Sequence, residues 1–264
     1  MFRIIEQNLT TALILEDDAD WDFRLKSQLS EVSVAAKSLP TLLAESKGNP
    51  DSGQERLSDV EIAKRSSIYH KTLARGKEND YGRDWDVLWL GHCGAKLPPP
   101  SPDRPNRIVL PDDVTVPEPQ HLKPMRNADL DEIGHVYPPH TRVVHQANKN
   151  VCTIAYAVTQ IGARKLLYEF GIREFSKGYD FALSDFCDGL TRAEKESRPL
   201  CLTVQPPIFS HHFPLKMNSD ITGHGPGYVA AMETRYVRWS VMMNLERLVK
   251  GEEEIEEQWA DSNA

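Results

Sequence analysis

Apolar positions along the chain fall into short blocks separated by long polar stretches. Residues 12–15, Ala-Leu-Ile-Leu, form a continuous apolar run that stops abruptly at Glu16, Asp17 and Asp18, with Asp20 two residues on. A block this short and uniform predicts a strand covered on both faces. A second block at residues 85–90 ends in Gly91 and Gly94 and predicts another strand, expected beside the first. Further strands are predicted at 141–147, 151–158 and 200–205, the last stopped by Pro206 and Pro207, which cannot extend a central strand. Helical spacing appears in Phe2, Ile5 and Leu9, over residues 21–43, over 160–170 closing on Gly171, over 180–187, and over 239–249.

Strands alternating with helices predict an α/β chain with a mixed sheet flanked by helices. Residues 1–250 read as one domain, interrupted by a turn-rich, charged insertion at 46–82 and a loop at 97–124 that carries nine of the 18 prolines. Such a proline density excludes a regular helix or central strand, and the loop is a candidate lid. The acid-rich residues 251–264 read as a solvated tail.

Composition narrows the partners. The 264 residues carry a net charge of -8, with Lys and Arg scattered rather than massed, which argues against nucleic acid. No run approaches the roughly 18 apolar residues that cross a bilayer, and the charged start Met1-Phe2-Arg3 is no signal peptide, so the chain as written reads as soluble. The four cysteines, Cys93, Cys152, Cys187 and Cys201, lack zinc-ligand spacing; they are disulfides in an oxidising compartment or buried thiols in a reducing one.

The acidic block is the leading candidate for chemistry. In open α/β sheets ligands bind beyond the carboxyl ends of strands, where these acids are expected. Carboxylates packed so closely repel unless a cation offsets them, so Asp17 and Asp18 point to a hard divalent metal that holds a phosphate, with Glu16 and Asp20 beside it. The competing reading makes Asp20 an ordinary helix cap. Gly91 and Gly94 would let backbone approach a ligand. His211 and His212 follow the 200–205 strand, where an imidazole completes a carboxylate metal site; adjacent side chains diverge, so one of them is expected to ligate. Asp180, and after it Asp185, are the candidate general bases early in a helix, against a reading as cap and surface residue. No Gly-x-x-x-x-Gly-Lys loop, Gly-x-Ser-x-Gly elbow or His-Glu-x-x-His helix occurs.

Taken in order, residues 12–18 (ALILEDD), 85–91 (WDVLWLG), 153–167, 179–183 (YDFAL) and 205–207 (QPP) resemble glycosyltransferase family 25, the lipopolysaccharide and procollagen-type galactosyltransferases, most closely its fungal members. The resemblance implies a GT-A-like fold, a UDP-sugar donor such as UDP-galactose, a glycan or protein hydroxyl acceptor, Mn²⁺ or another divalent cation, and inversion at the sugar carbon. By position it implies that Glu16, Asp17 and Asp18 hold metal and diphosphate, that Asp180 is the Asp before the late helix, and that His211 or His212 serves metal or phosphate. It also implies a secretory or Golgi setting. The family's upstream Ile-Asn-Leu-x-x-Arg strand and Gly-rich helix start have no counterpart in this sequence, so the expectation carries an alternative, a truncated, non-catalytic member acting as an interaction module. A metal-dependent hydrolase using the same acids is a third reading.

Overall fold

Two strands buried along their whole length, β3 (Val87–Gly91) and β7 (Cys201–Gln205), lie side by side in parallel at the centre of the sheet. The computed structural model describes residues 1–45, 82–99, 106–124, 129–173, 175–191, 198–214 and 232–262. The polar insertion expected at 46–82 lies, apart from Gly82, outside the described residues.

The remaining strands extend the sheet in the order β1 (Thr11–Leu15), β6 (Ala155–Thr159), β3, β7, β5 (Arg142–Gln146), β4 (Arg107–Leu110). Strands β1, β3, β7 and β4 run one way, and β6 and β5 run against them, so the sheet is mixed. A short branch, β2 (Ala19–Trp21) on β8 (Phe209–Phe213) on β9 (Glu233–Thr234), joins through β8, whose Phe209 lies against Gly91. One face is covered by α2 (Leu25–Glu45) and α3 (Glu132–Val136), with Leu39, Ile108, Ile133 and Val144 in the core between them. The other face is covered by α1 (Phe2–Glu6), α4 (Gln160–Leu167) and α5 (Tyr179–Cys187) over Trp89, Val158, Leu166 and Leu183. A last helix, α6 (Leu245–Lys250), ends on Gly251 in the left-handed conformation that glycine adopts without penalty.

Several elements differ from the sequence reading, each for a physical reason. Among the described strands β1 is at the edge rather than covered, and Leu13 and Leu15 are about half exposed; continuous apolarity does not distinguish an edge from a centre. β3 does not touch β1, because β6 lies between them and pairs with both. The proline-rich region contains β4, formed by the proline-free Arg107-Ile108-Val109-Leu110 and paired with β5. Trp21 is in β2 rather than a helix, and the two histidines that follow the 200–205 strand are inside a strand of their own, β8. The helix over 160–170 continues past Gly171 as a π turn to Arg173.

The acidic C-terminal segment is docked. Arg238 bonds to Glu257 and to Asp261 (2.7 Å), Gln258 donates to Thr234 O (2.6 Å), and Trp259 stacks on His121 at 4.7 Å. Acid runs read as solvated unless a cation faces them, and Arg238 comes from the turns before α6, about twenty residues earlier in the chain.

The start of α4 is built on the backbone of Asp86. Thr159 caps the helix by accepting the Gly162 N–H (3.0 Å), its own N–H bonds to Asp86 O (3.1 Å), and Lys165 pairs with the Asp86 carboxylate at 2.7 Å. A Cβ on Gly162 would overlap Asp86 O and lie 2.7 Å from its carbonyl carbon and 2.9 Å from its Cα, all backbone atoms of a central strand's lead-in. Gly162→Ala is therefore expected to cost about 3 kcal/mol through overpacking, read as a lower denaturant midpoint with an unchanged slope.

Candidate site at the carboxyl end of the first strand

The turn Glu16-Asp17-Asp18 joins β1 to β2 at the sheet end where β1, β3 and β7 finish and β6 begins. It is held from both sides. The Glu16 N–H bonds to Ile154 O (2.9 Å) and its carboxylate accepts the Thr153 hydroxyl (2.7 Å), while Asp18 O accepts the His212 N–H (3.0 Å). Glu16 and Asp17 are exposed and Asp18 is partly buried.

Asp18 and His211 meet across the β2–β8 ladder. In that antiparallel pair His211 lies opposite Ala19, next to Asp18, and its Nε2 sits 3.1 Å from Asp18 Oδ2. The ring is fixed from behind by stacking on Phe213 at 4.3 Å, which itself lies under the Arg235 guanidinium. The other carboxylate oxygen, Asp18 Oδ1, is shielded from solvent and accepts no hydrogen bond among the described residues. A buried acceptor left unpaired costs free energy, so this atom is the one in the turn that has a ligand to gain.

His212, expected as an alternative metal ligand to His211, and Asp20, expected beside the metal, point elsewhere. His212 turns inward, its Nδ1 donating to the Thr234 hydroxyl (2.8 Å), and burial, ahead of its neighbouring charges, holds its imidazole below the ordinary range. Asp20 is fully buried beneath it and acts as a knot rather than a surface ligand. Its Oδ1 accepts the N–H groups of Trp21 (2.7 Å) and Met242 (3.1 Å), and its Oδ2 accepts the hydroxyls of Thr234 (2.6 Å) and Ser240. Alternation along β8 sends the successive side chains of His211 and His212 to opposite faces, while Asp18 belongs to the turn before β2 and so escapes the pleat that buries Asp20. Asp22 plays a similar part nearby, accepting from Arg24 and from the Trp239 N–H (3.2 Å).

Gly91 and Gly94 are at this end of the sheet, but protein packs against both. A Cβ at Gly91 would lie 2.9 Å from Ala155 N and from Phe209 O, so the glycine lets β3 meet β6 and β8 closely. Gly94 forms an isolated bridge with Val151, and the Cys93–Cys152 disulfide crosses beside it. The Trp89 indole closes the same corner by donating to Cys152 O (2.9 Å).

Helix α5 reaches the site through a tyrosine pair. Tyr156, opposite Ile14 in the β1–β6 ladder, hydrogen-bonds through its hydroxyl to Tyr179 at the start of α5 (2.9 Å). Burial raises both phenols, and the Glu16 carboxylate adds to the rise at Tyr156. Asp180 follows Tyr179 in the first turn and is half-buried, with no ion pair or side-chain hydrogen bond among the described residues. Asp185, one turn further on, is tied to Lys177. Sequence reasoning missed Thr153 and the tyrosine pair, because their roles come from register and not from any local pattern.

Among the described residues no group of three or more His, Cys, Asp or Glu side chains is arranged to hold a metal ion by itself, and no helix is long and apolar enough to cross a membrane. No protein-family model, curated protein or solved structure matches the chain.

Proposed function

We propose that this chain is a glycosyltransferase of the family 25 type, with a GT-A-like fold, that moves a hexose from a UDP-sugar to a hydroxyl acceptor with inversion. The observation that carries the reading is Asp18. One of its oxygens is buried without a partner among the described residues and the other faces His211 at 3.1 Å, at the strand end where α/β sheets bind ligands. That donor set suits a divalent cation such as Mn²⁺ shared with a diphosphate, which takes one or two protein ligands and fills its remaining positions with phosphate oxygens and water.

In this reading Asp18 and His211 hold the metal, Asp17 stands exposed beside them, and Glu16, oriented by Thr153, faces the donor. The metal would offset the charge that gathers on the departing diphosphate. Asp180 takes the acceptor hydroxyl proton, because Asp185 is engaged by Lys177. The Tyr156–Tyr179 bond fixes the start of α5, and with it Asp180, to the strand that flanks the acidic turn. His212 and Asp20 act from below by holding β2 against β8. Two disulfides that use all four cysteines favour an oxidising setting such as the secretory pathway.

Titration of the purified chain with UDP and UDP-galactose, with and without Mn²⁺, tests the reading. The wild type is expected to bind UDP in a metal-dependent way, and Asp18→Asn to weaken that binding at least about tenfold, in line with the cost of disturbing a metal site. Folded wild-type protein that binds neither nucleotide in saturating Mn²⁺ refutes it.

A further inference from the structure

Among the described residues the edge of the sheet beside the acidic turn has no pairing strand. The Glu16 N–H bonds to Ile154 O (2.9 Å) and the Gln160 N–H bonds to Thr10 O (3.0 Å), so the even-numbered residues of β1 turn their peptide groups toward β6. By alternation Thr11, Leu13 and Leu15 turn theirs outward, where no described strand meets them. Their side chains share one face: Leu13 is 46% and Leu15 43% exposed, and Leu13 borders an apolar groove of about 140 Å³ walled by Leu29, Val32, Trp85, Leu88 and Ala157.

Proteins normally blunt such an edge with a lysine, a proline, an inward charge, a bulge or a covering loop. β1 reads Thr-Ala-Leu-Ile-Leu, carries no charge or proline, and pairs with β6 in unbroken register. We propose that β1 is a dimerisation strand, joined to the β1 strand of a second copy of this chain in antiparallel fashion about a two-fold axis at Leu13.

Charge favours this occupant and this direction. Antiparallel pairing centred on Leu13 sets Leu13 against Leu13 and Thr11 against Leu15 of the second copy. It places each acidic turn against the uncharged Asn8-Leu9-Thr10 segment, whereas parallel pairing would bring two acidic turns together. The outward peptide groups of all three residues then find partners, and the two apolar grooves merge across the axis into one strip. At the other end of the sheet β4 is buried along its length, so the assembly closes at two copies and does not propagate.

Sedimentation equilibrium of the full chain over a range of concentrations tests the proposal, and its readout is mass, independent of any nucleotide or transfer activity. The wild type is expected to show a monomer–dimer equilibrium. Leu13→Pro removes the outward N–H at the axis and leaves the bonds to β6 in place, while Leu13→Lys sets like charges face to face. Each is expected to raise the dimer Kd at least about tenfold, with near-UV circular dichroism unchanged. If the proline variant does not fold, the lysine variant decides alone. A wild type that sediments as a monomer throughout, assembles beyond two copies, or dimerises with a Kd that the folded variants leave unaltered overturns the proposal.

Discussion

Lowering the pH from about 6.5 to about 4 is expected to remove several kcal/mol of stability from this protein, through two histidines far from any surface. His92 follows β3 and is 1% exposed, and His145 in β5 is fully buried. Burial holds both imidazoles down at about 4, against an ordinary value of 6.5. The His92 Nε2 meets Val204 O (2.9 Å) and its Nδ1 is buried without a partner among the described residues; the His145 Nδ1 lies 2.8 Å from Gln146 O and its Nε2 3.1 Å from the Gln205 amide oxygen, of which a neutral ring donates to one. Among the described residues neither ring has a carboxylate in contact to offset the positive charge that protonation would create.

The sign follows from which state binds protons first. The unfolded chain protonates both rings near pH 6.5 and the folded chain not until about 4, so the stabilisation is complete above about 6.5 and is lost as the pH falls. At about 1.4 kcal/mol per pKa unit, each ring contributes about 3 kcal/mol across that window. Asp131, Glu31 and Asp188 work against them, because burial raises these carboxyls and a raised carboxyl favours the fold in acid. The lowered imidazoles of His121 and His212, and the Asp113 carboxyl, whose burial is outweighed by Arg142 so that it too is lowered, act in the same direction as His92 and His145. Denaturant unfolding at a series of pH values checks the expectation: the midpoint should drop steeply below about 6.5, and His145→Gln should flatten the slope by about half. A midpoint constant down to pH 4 would contradict it.

Removing the Cys93–Cys152 disulfide is expected to cost about 4 kcal/mol, and removing Cys187–Cys201 about 3 kcal/mol, from the unfolded-chain entropy that separations of 59 and 14 residues restrict. The first bond has the wider consequence. It clamps the segment leaving β3 to the segment entering β6, beside the Gly94–Val151 bridge and one residue from Thr153, the donor that orients Glu16. Paired Cys→Ser variants compared by denaturant unfolding should rank in that order. The 93–152 variant should also weaken metal-dependent UDP binding, while the 187–201 variant, whose bond joins the end of α5 to β7, should leave it closer to wild type.

Periodicity and end signals alone determine much of this molecule. The apolar blocks become β1, β3, β5, β6 and β7 within a few residues, and the helices over 160–167 and 180–187 follow from their spacing, because burying a face imposes a local pattern on the chain. The acidic turn was legible for the same reason, as an apolar strand that ends in carboxylates. The tertiary structure decided what pairs with what. Nothing local announces that β6 separates β1 from β3, that β1 is an edge, or that the two adjacent histidines part company, one to Asp18 and one to Thr234. Asp20 is the sharpest case. By sequence it belongs with its acidic neighbours, yet the donors that claim it, Thr234, Ser240 and Met242, come from more than two hundred residues away. A carboxylate's role is set by which donors reach it, and that depends on chain contacts at long range, which periodicity does not encode.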